Sequence, residues 1–214
     1  MTERLSNEYE SPALTEEDKK RISDSLKSIR ETVKECCEKA GRKNDVTLMA
    51  ATKTVSVEKI NYAISECGLT DIGENRVQEL LEKYEHYDKR AKIHFIGTLQ
   101  TNKVKYIVDK VDMIESVDSV KLAREIEKRC AAIGKTMEIL LEVNIAGEQS
   151  KSGFDYDEIP AAVEEIGKMS HLKLRGFMTI GRFGAEIEET RGYFQKMRAL
   201  LVDIGSEKIH NKDI

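Results

Sequence analysis

The chain has 214 residues, of which 40% are hydrophobic and 35% charged, with only 2 prolines. That balance describes a helix-rich globular protein and excludes disordered and fibrous classes; the length suits one domain and is slightly short for a complete α/β barrel. Lys and Arg number 35 against 39 Asp and Glu, and the net charge of -4 gives no general attraction to nucleic acid or to an anionic membrane.

Residues 1 to 14 have no periodicity and are expected to form a flexible tail, leaving one domain over 15–214. Thr15 and Asp18 make a capping-box-like start, after which Ile22, Leu26, Ile29, Val33, Cys36 or Cys37 and Ala40 recur at helical intervals up to Gly41. Val46 to Thr52 is a short apolar run expected as a strand buried on both faces, ending at Lys53. Ser56 can cap the next helix, which carries Val57, Ile60, Ile64 and Cys67 and closes at Gly68.

The strand, loop and helix unit then recurs. Thr70 to Gly73 precedes a helix with Val77, Leu80, Leu81 and Tyr84, and Ile93 to Ile96 precedes a helix over Val104 to Val108. Asp112 to Ser116 is a fourth strand, followed by a helix capped by Asp118 or Ser119 and stopped by Gly134. Glu138 to Val143 is a fifth, followed by a helix that Asp157 can cap with Pro160 in its tolerant first turn. Leu172 to Ile180 is the sixth, and a last helix carries Ile187, Phe194, Met197, Leu201 and Ile204 before Gly205.

Buried strands alternating with amphipathic helices imply a parallel sheet. A doubly wound sheet fits that pattern, but no GxGxxG follows the first strand and no GxxxxGK[ST] occurs, so a TIM-type (β/α)8 barrel fits better. Six βα units are visible where a barrel has eight, so the expectation is an incomplete barrel, truncated at its C-terminal end, or one element miscounted.

No apolar run is long enough to span a bilayer, and the opening segment lacks the apolar core of a signal peptide, so a cytoplasmic protein is expected. Cys36, Cys37, Cys67 and Cys130 lack zinc-site spacing and read as thiols packed in helices. His86, His94, His171 and His210 form no metal-binding pattern, so no metal is expected.

Lys53 stands at the C-terminal end of a strand, where barrel sites are built, and an amine buried there would be a free nucleophile toward a carbonyl. Taken alone, a lysine closing a strand is more often a solvated residue. Polar residues and glycines gather at the same end of the other strands: Gly73-Glu74-Asn75, His94-Phe95-Ile96-Gly97-Thr98-Leu99-Gln100-Thr101-Asn102-Lys103, Ser116-Val117-Asp118-Ser119, Val143 to Gly153, and Gly176-Phe177-Met178-Thr179-Ile180-Gly181.

With Ala51-Thr52-Lys53-Thr54, this series closely resembles the pyridoxal-phosphate homeostasis proteins, relatives of the alanine racemase N-terminal barrel, over about residues 20 to 205. The resemblance implies that Lys53 holds pyridoxal 5'-phosphate as a Schiff base and that Asn75 and Met178 line the pocket. His94, Gln100, Asn102 and Lys103 match the third-unit signature and would shape the pocket floor and first loop. For His94 a hydrogen-bonded core imidazole is the plainer role. Lys151 would be a second amine near the site or a plain surface lysine. The family continues into a seventh and an eighth strand that this chain lacks, and with them lie the phosphate loops. The implied protein is a monomeric, non-catalytic cofactor carrier serving apo-forms of pyridoxal-phosphate enzymes, without nucleic-acid or membrane partners. An amino-acid racemase and a cofactor-free partial barrel acting as an interaction module are the alternatives.

Overall fold

The computed structural model describes residues 13–43, 46–148 and 151–206. Helix α1 (Glu16–Lys39) opens on Thr15, whose Oγ1 accepts the N–H of Asp18 at 3.1 Å, and Glu16, Glu17 and Asp18 fill its first turn beside the positive end of the helix dipole. Only Cys37 of this helix is buried, whereas Cys36 is exposed and so does not pack as a core thiol. Much of the expected tail, residues 1–12, lies outside the described residues.

Strand β1 (Met49–Ala51) is shorter than the expected run from Val46. Among the described residues it lies at an edge and pairs only with β2 (Asp71–Glu74), through Met49↔Asp71 to Ala51↔Gly73, and it is half-buried to exposed, not covered on both faces. Between them runs α2 (Val57–Ser65). Ser56 sits at its N-cap, but its hydroxyl is buried without a hydrogen bond, so the expected side-chain cap is not made. Arg30 of α1 donates to the carbonyls of Cys67 and Gly68 at 2.6 and 2.8 Å, satisfying acceptors just beyond the end of α2.

The order continues with α3 (Val77–Lys83), β3 (Lys92–Phe95), β4 (Met113–Val117), α4 (Val120–Ile133), β5 (Met137–Glu142), α5 (Ile159–Ile166), β6 (Leu172–Met178) and α6 (Ile187–Ser206). The third crossover is a 3-10 helix over Thr101–Tyr106 where an α-helix was expected. An i,i+3 repeat brings fully buried Val104 and Ile107 onto one face, and Ile107 N–H bonds to Val104 O at 3.1 Å. The capping residue before α5 is Asp155, not Asp157: it forms a capping box with Glu158 ahead of a short 3-10 turn, and Pro160 lies in the first turn of the α-helix. Ser119 caps α4 by accepting from Leu122 N–H, and Gly134 ends it in the left-handed region.

All six strands are parallel in the order β1-β2-β3-β4-β5-β6, and β1 and β6 are not paired with each other among the described residues. Ile72, Phe95, Ile114, Ile139 and Leu141 point to the helix layer, where they meet Ile60, Leu80, Leu122, Ile126 and Ile159, all 2% exposed or less. Each such side chain contributes roughly 1.5–3 kcal/mol by leaving water. A register shift between Ile139 and Leu140 faces Gly176, whose φ of 143° is open to glycine and strained for other residues.

β2 and β3 leave the sheet almost in contact. A Cβ on Gly97 would lie 2.1 Å from the Asn75 carbonyl oxygen, which is backbone and cannot step aside, whereas Gly192 in α6 has nothing within 4 Å of that position. Gly97→Ala should therefore cost about 1–3 kcal/mol of unfolding free energy in denaturant titrations. Gly192→Ala should be neutral or stabilise by up to about 1 kcal/mol. Equal stability of the two variants would contradict this packing.

Candidate functional site

In a parallel sheet every strand ends at the same edge, and the sequence-predicted residues distribute along it. Lys53 lies just beyond β1, Asn75 beyond β2, Gln100, Asn102 and Lys103 beyond β3, Lys151 beyond β5, and Met178 closes β6. β1 and β6 are the two outer strands of the sheet, so Lys53 and Met178 stand at opposite ends of its order. His94 is different: it lies within β3, below that edge.

Lys53 sits in a tight turn. Thr52 N–H extends the β ladder to Gly73 O at 2.9 Å, and Val55 N–H returns to Thr52 O at 3.1 Å, closing the turn around Lys53 and Thr54. Thr54 has φ 61°, the one non-glycine residue with positive φ among the described residues. Lys53 is exposed, the solvated alternative that the sequence offered, and among the described residues β1 has a neighbouring strand on one side only.

Behind this turn lies a cluster that the sequence reading did not single out. Glu74, fully buried, accepts at Oε1 from Thr52 Oγ1 at 2.7 Å, from Tyr87 OH at 2.8 Å and from Lys83 Nζ at 3.3 Å. Lys83, 4% exposed, also donates to Thr52 O at 3.1 Å and to Glu79 Oε1 at 2.5 Å. That same Glu79 oxygen accepts Thr54 N–H at 2.5 Å. Burial pushes the Glu79 carboxyl toward its neutral form, but its hydrogen bonds from Lys83 and Thr54 outweigh this and lower its pKa. The available signal was the four-residue spacing of Glu79 and Lys83, which ordinarily marks an exposed helical ion pair.

Asn75 is half-buried, and its Oδ1 is buried without a donor. Gln100, Asn102 and Lys103 are exposed on the third crossover. Lys151 is half-buried and donates to Gly181 O at 2.9 Å while pairing with Glu148 at 2.9 Å, so it ties the loop after β5 to the loop after β6. Arg182 is committed to Glu189 through two hydrogen bonds, at 3.1 and 2.6 Å.

The other face of the sheet is charged. Asp71, His94, Glu115, Glu138, Leu140 and Arg175 help line a cavity of about 490 Å³ on that face. His94 Nδ1 lies 2.6 Å from Glu115 Oε1 and Nε2 lies 3.1 Å from Asp71 Oδ1, so both ring nitrogens are occupied. Burial disfavours the imidazolium, but the two carboxylates outweigh it and raise the pKa above the ordinary 6.5. This is the hydrogen-bonded core imidazole.

Residues 25–212 match the family described as "Alanine racemase, N-terminal domain". A pyridoxal phosphate homeostasis protein of Aquifex aeolicus is 41% identical over 184 residues, covering 85% of this chain and 80% of the relative. Among solved structures, an unknown protein from Bifidobacterium adolescentis superposes with a TM-score of 0.84 at 35% identity, covering 89% of this chain and 81% of its own. PipY of Synechococcus elongatus, solved with PLP bound, superposes with a TM-score of 0.74 at 26% identity, covering 86% of this chain and 81% of its own. Among the described residues, no helix is long and apolar enough to cross a membrane.

A histidine whose pKa is raised on folding adds stability below the unfolded value and loses it as the pH climbs through the folded value. His94 should thus make unfolding free energy fall as pH rises from 6.5 upward. In His94→Gln that component of the slope should vanish. Chemical denaturation at a series of pH values checks this, and parallel pH profiles for the two proteins would overturn it.

Proposed function

We propose, from the premise that the chain belongs to the pyridoxal phosphate homeostasis protein family and has the alanine racemase N-terminal barrel fold, that it binds pyridoxal 5'-phosphate and holds it reversibly on Lys53. The cofactor supplies an aldehyde, which condenses with a primary amine to a Schiff base and one water. The observation that carries the reading is the place of Lys53: an exposed amine on a fixed turn at the carboxyl edge of a parallel sheet, where barrels assemble their sites. Asn75, next along that edge, brings a buried amide oxygen without a donor, which suits a polar group of a bound ligand. The PLP-bound form of PipY supports the choice of ligand.

The role is that of a carrier, not an enzyme. A racemase needs an acid/base group on each side of the reacting carbon. His94, the histidine nearest in sequence to the site loops, has both nitrogens engaged by carboxylates. Delivery to apo-forms of pyridoxal-phosphate enzymes by a monomeric cytoplasmic protein is the reading that the relatives' name, pyridoxal phosphate homeostasis protein, supports. Met178 and the loop residues Gln100, Asn102, Lys103 and Lys151 complete the proposed surroundings, within a single domain from residue 15 onward.

Incubation with pyridoxal 5'-phosphate followed by borohydride should leave a stable adduct that peptide mapping assigns to Lys53. Lys53→Ala should lose that adduct and the visible absorbance of the imine, with the melting temperature little changed because the side chain is exposed. An adduct on Lys151 alone, or undiminished absorbance in Lys53→Ala, would sink the assignment.

A further inference from the structure

We propose that Glu79 and Lys83 are positioning residues for the Lys53 amine, acting through the backbone turn that carries it; this rests on the reading of Lys53 as the cofactor-holding lysine. Among the described residues no hydrogen bond or ion pair holds the Lys53 side chain, and it is exposed. Its direction is therefore set by the backbone at Thr52, Lys53 and Thr54.

That backbone is in a costly form. A β-branched residue with φ near +60° brings its Cβ against the carbonyl oxygen, and the second central position of such a turn ordinarily goes to glycine or asparagine. Something must hold it there. Glu79 takes the Thr54 N–H at 2.5 Å, on one side of Lys53. Lys83 takes the Thr52 carbonyl at 3.1 Å, on the other side. The two are joined to each other at 2.5 Å, so a single ion pair bridges both flanks of Lys53.

Glu74 anchors the bridge from below, through Lys83 and the Thr52 hydroxyl. Because Lys83 is 4% exposed and Glu74 fully buried, neither can trade these partners for water, and the geometry is fixed by the core. Without Glu79, Thr54 is free to relax to negative φ. The turn then changes type and the Lys53 Cα–Cβ bond swings away from its present direction.

The test uses the full chain as wild type, Glu79→Ala, Glu79→Gln and Lys83→Met, with Glu82→Ala as an exposed control on the same helix. One readout needs no cofactor: competitive labelling of Lys53 by trace acetic anhydride across pH, mapped by mass spectrometry and scaled to exposed Lys27. The second is the rate of borohydride-trapped pyridoxal 5'-phosphate incorporation at Lys53, and the third is amide exchange at Thr54. In Glu79→Ala, exchange at Thr54 should quicken, the Lys53 labelling profile should depart from wild type, and trapping should slow about tenfold, the equivalent of one charge-assisted hydrogen bond. Glu79→Gln keeps an oxygen for both donors and should stay within about threefold of wild type. Glu82→Ala should match wild type in all three.

The proposal is overturned if Glu79→Ala keeps the wild-type labelling profile and trapping rate, or if Glu82→Ala shifts them equally. Should Lys83→Met fail to fold, Glu79→Ala decides the matter, since Glu79 lies at the rim of the cluster. A wild-type protein that is never trapped at Lys53 sinks the cofactor reading, while the cofactor-free labelling profile still decides whether Glu79 and Lys83 aim the amine.

Discussion

Two parallel strands cannot be joined by a tight hairpin; the chain must return over a face of the sheet before it can pair again, and in this protein it does so after every strand from β1 to β5. Three consequences follow from that constraint. The returning helices bury the face that carries Ile72, Phe95, Ile114, Ile139 and Leu141, so the hydrophobic core lies between sheet and helices. The opposite face is left free for Asp71, His94, Glu115, Glu138 and Arg175. Every strand also ends at one edge, and the loops there are the parts least committed to the core.

The edge is nevertheless not loose, because the core reaches up to it at one point. Glu74 and Lys83 are charged, nearly inaccessible and placed between α3 and the ends of β1 and β2. Removing two charges from water costs several kcal/mol each, and a buried ion pair often stabilises no better than well-packed apolar residues of the same size. Breaking one partner is far worse, at about 3–5 kcal/mol, since the other charge is left stranded. Stability alone is thus a poor account of the cluster. Its hydrogen bonds to Thr52, and through Glu79 to Thr54, give a better one, because apolar substitutes would fill the volume and leave those backbone groups unheld.

What the sequence made legible was what depends on period and local chemistry. Helical spacing from Ile22 to Leu26, the cap at Thr15, the stop at Gly134 and six apolar strand runs all survive in the structure with shifts of a few residues. Failures occurred where neighbours decide. Val46 to Leu48 have strand composition, but the ladder with β2 begins only at Met49. Ser56 has cap chemistry, yet its hydroxyl is buried without a hydrogen bond. Asp157 and Asp155 both suit a cap, and only Glu158, three residues after Asp155, completes the box. The site behaved likewise: the glycine-rich edge motifs were readable as motifs, whereas the Glu74 cluster joins β1, β2, α3 and Tyr87 through a register that no single segment encodes.

Among the described residues β1 is paired on one side, so Lys53 stands exposed beside the outer strand of the sheet, the solvated alternative that the sequence offered. A side chain in that position takes its direction from the backbone that carries it, and that backbone is not free to choose its form. Thr52 continues the ladder to Gly73, Thr54 is held in the left-handed region, and the groups that hold them reach down to fully buried Glu74. A rigid, core-anchored turn beneath an open side chain supplies that direction without enclosure, which is the combination found at Thr52, Lys53 and Thr54.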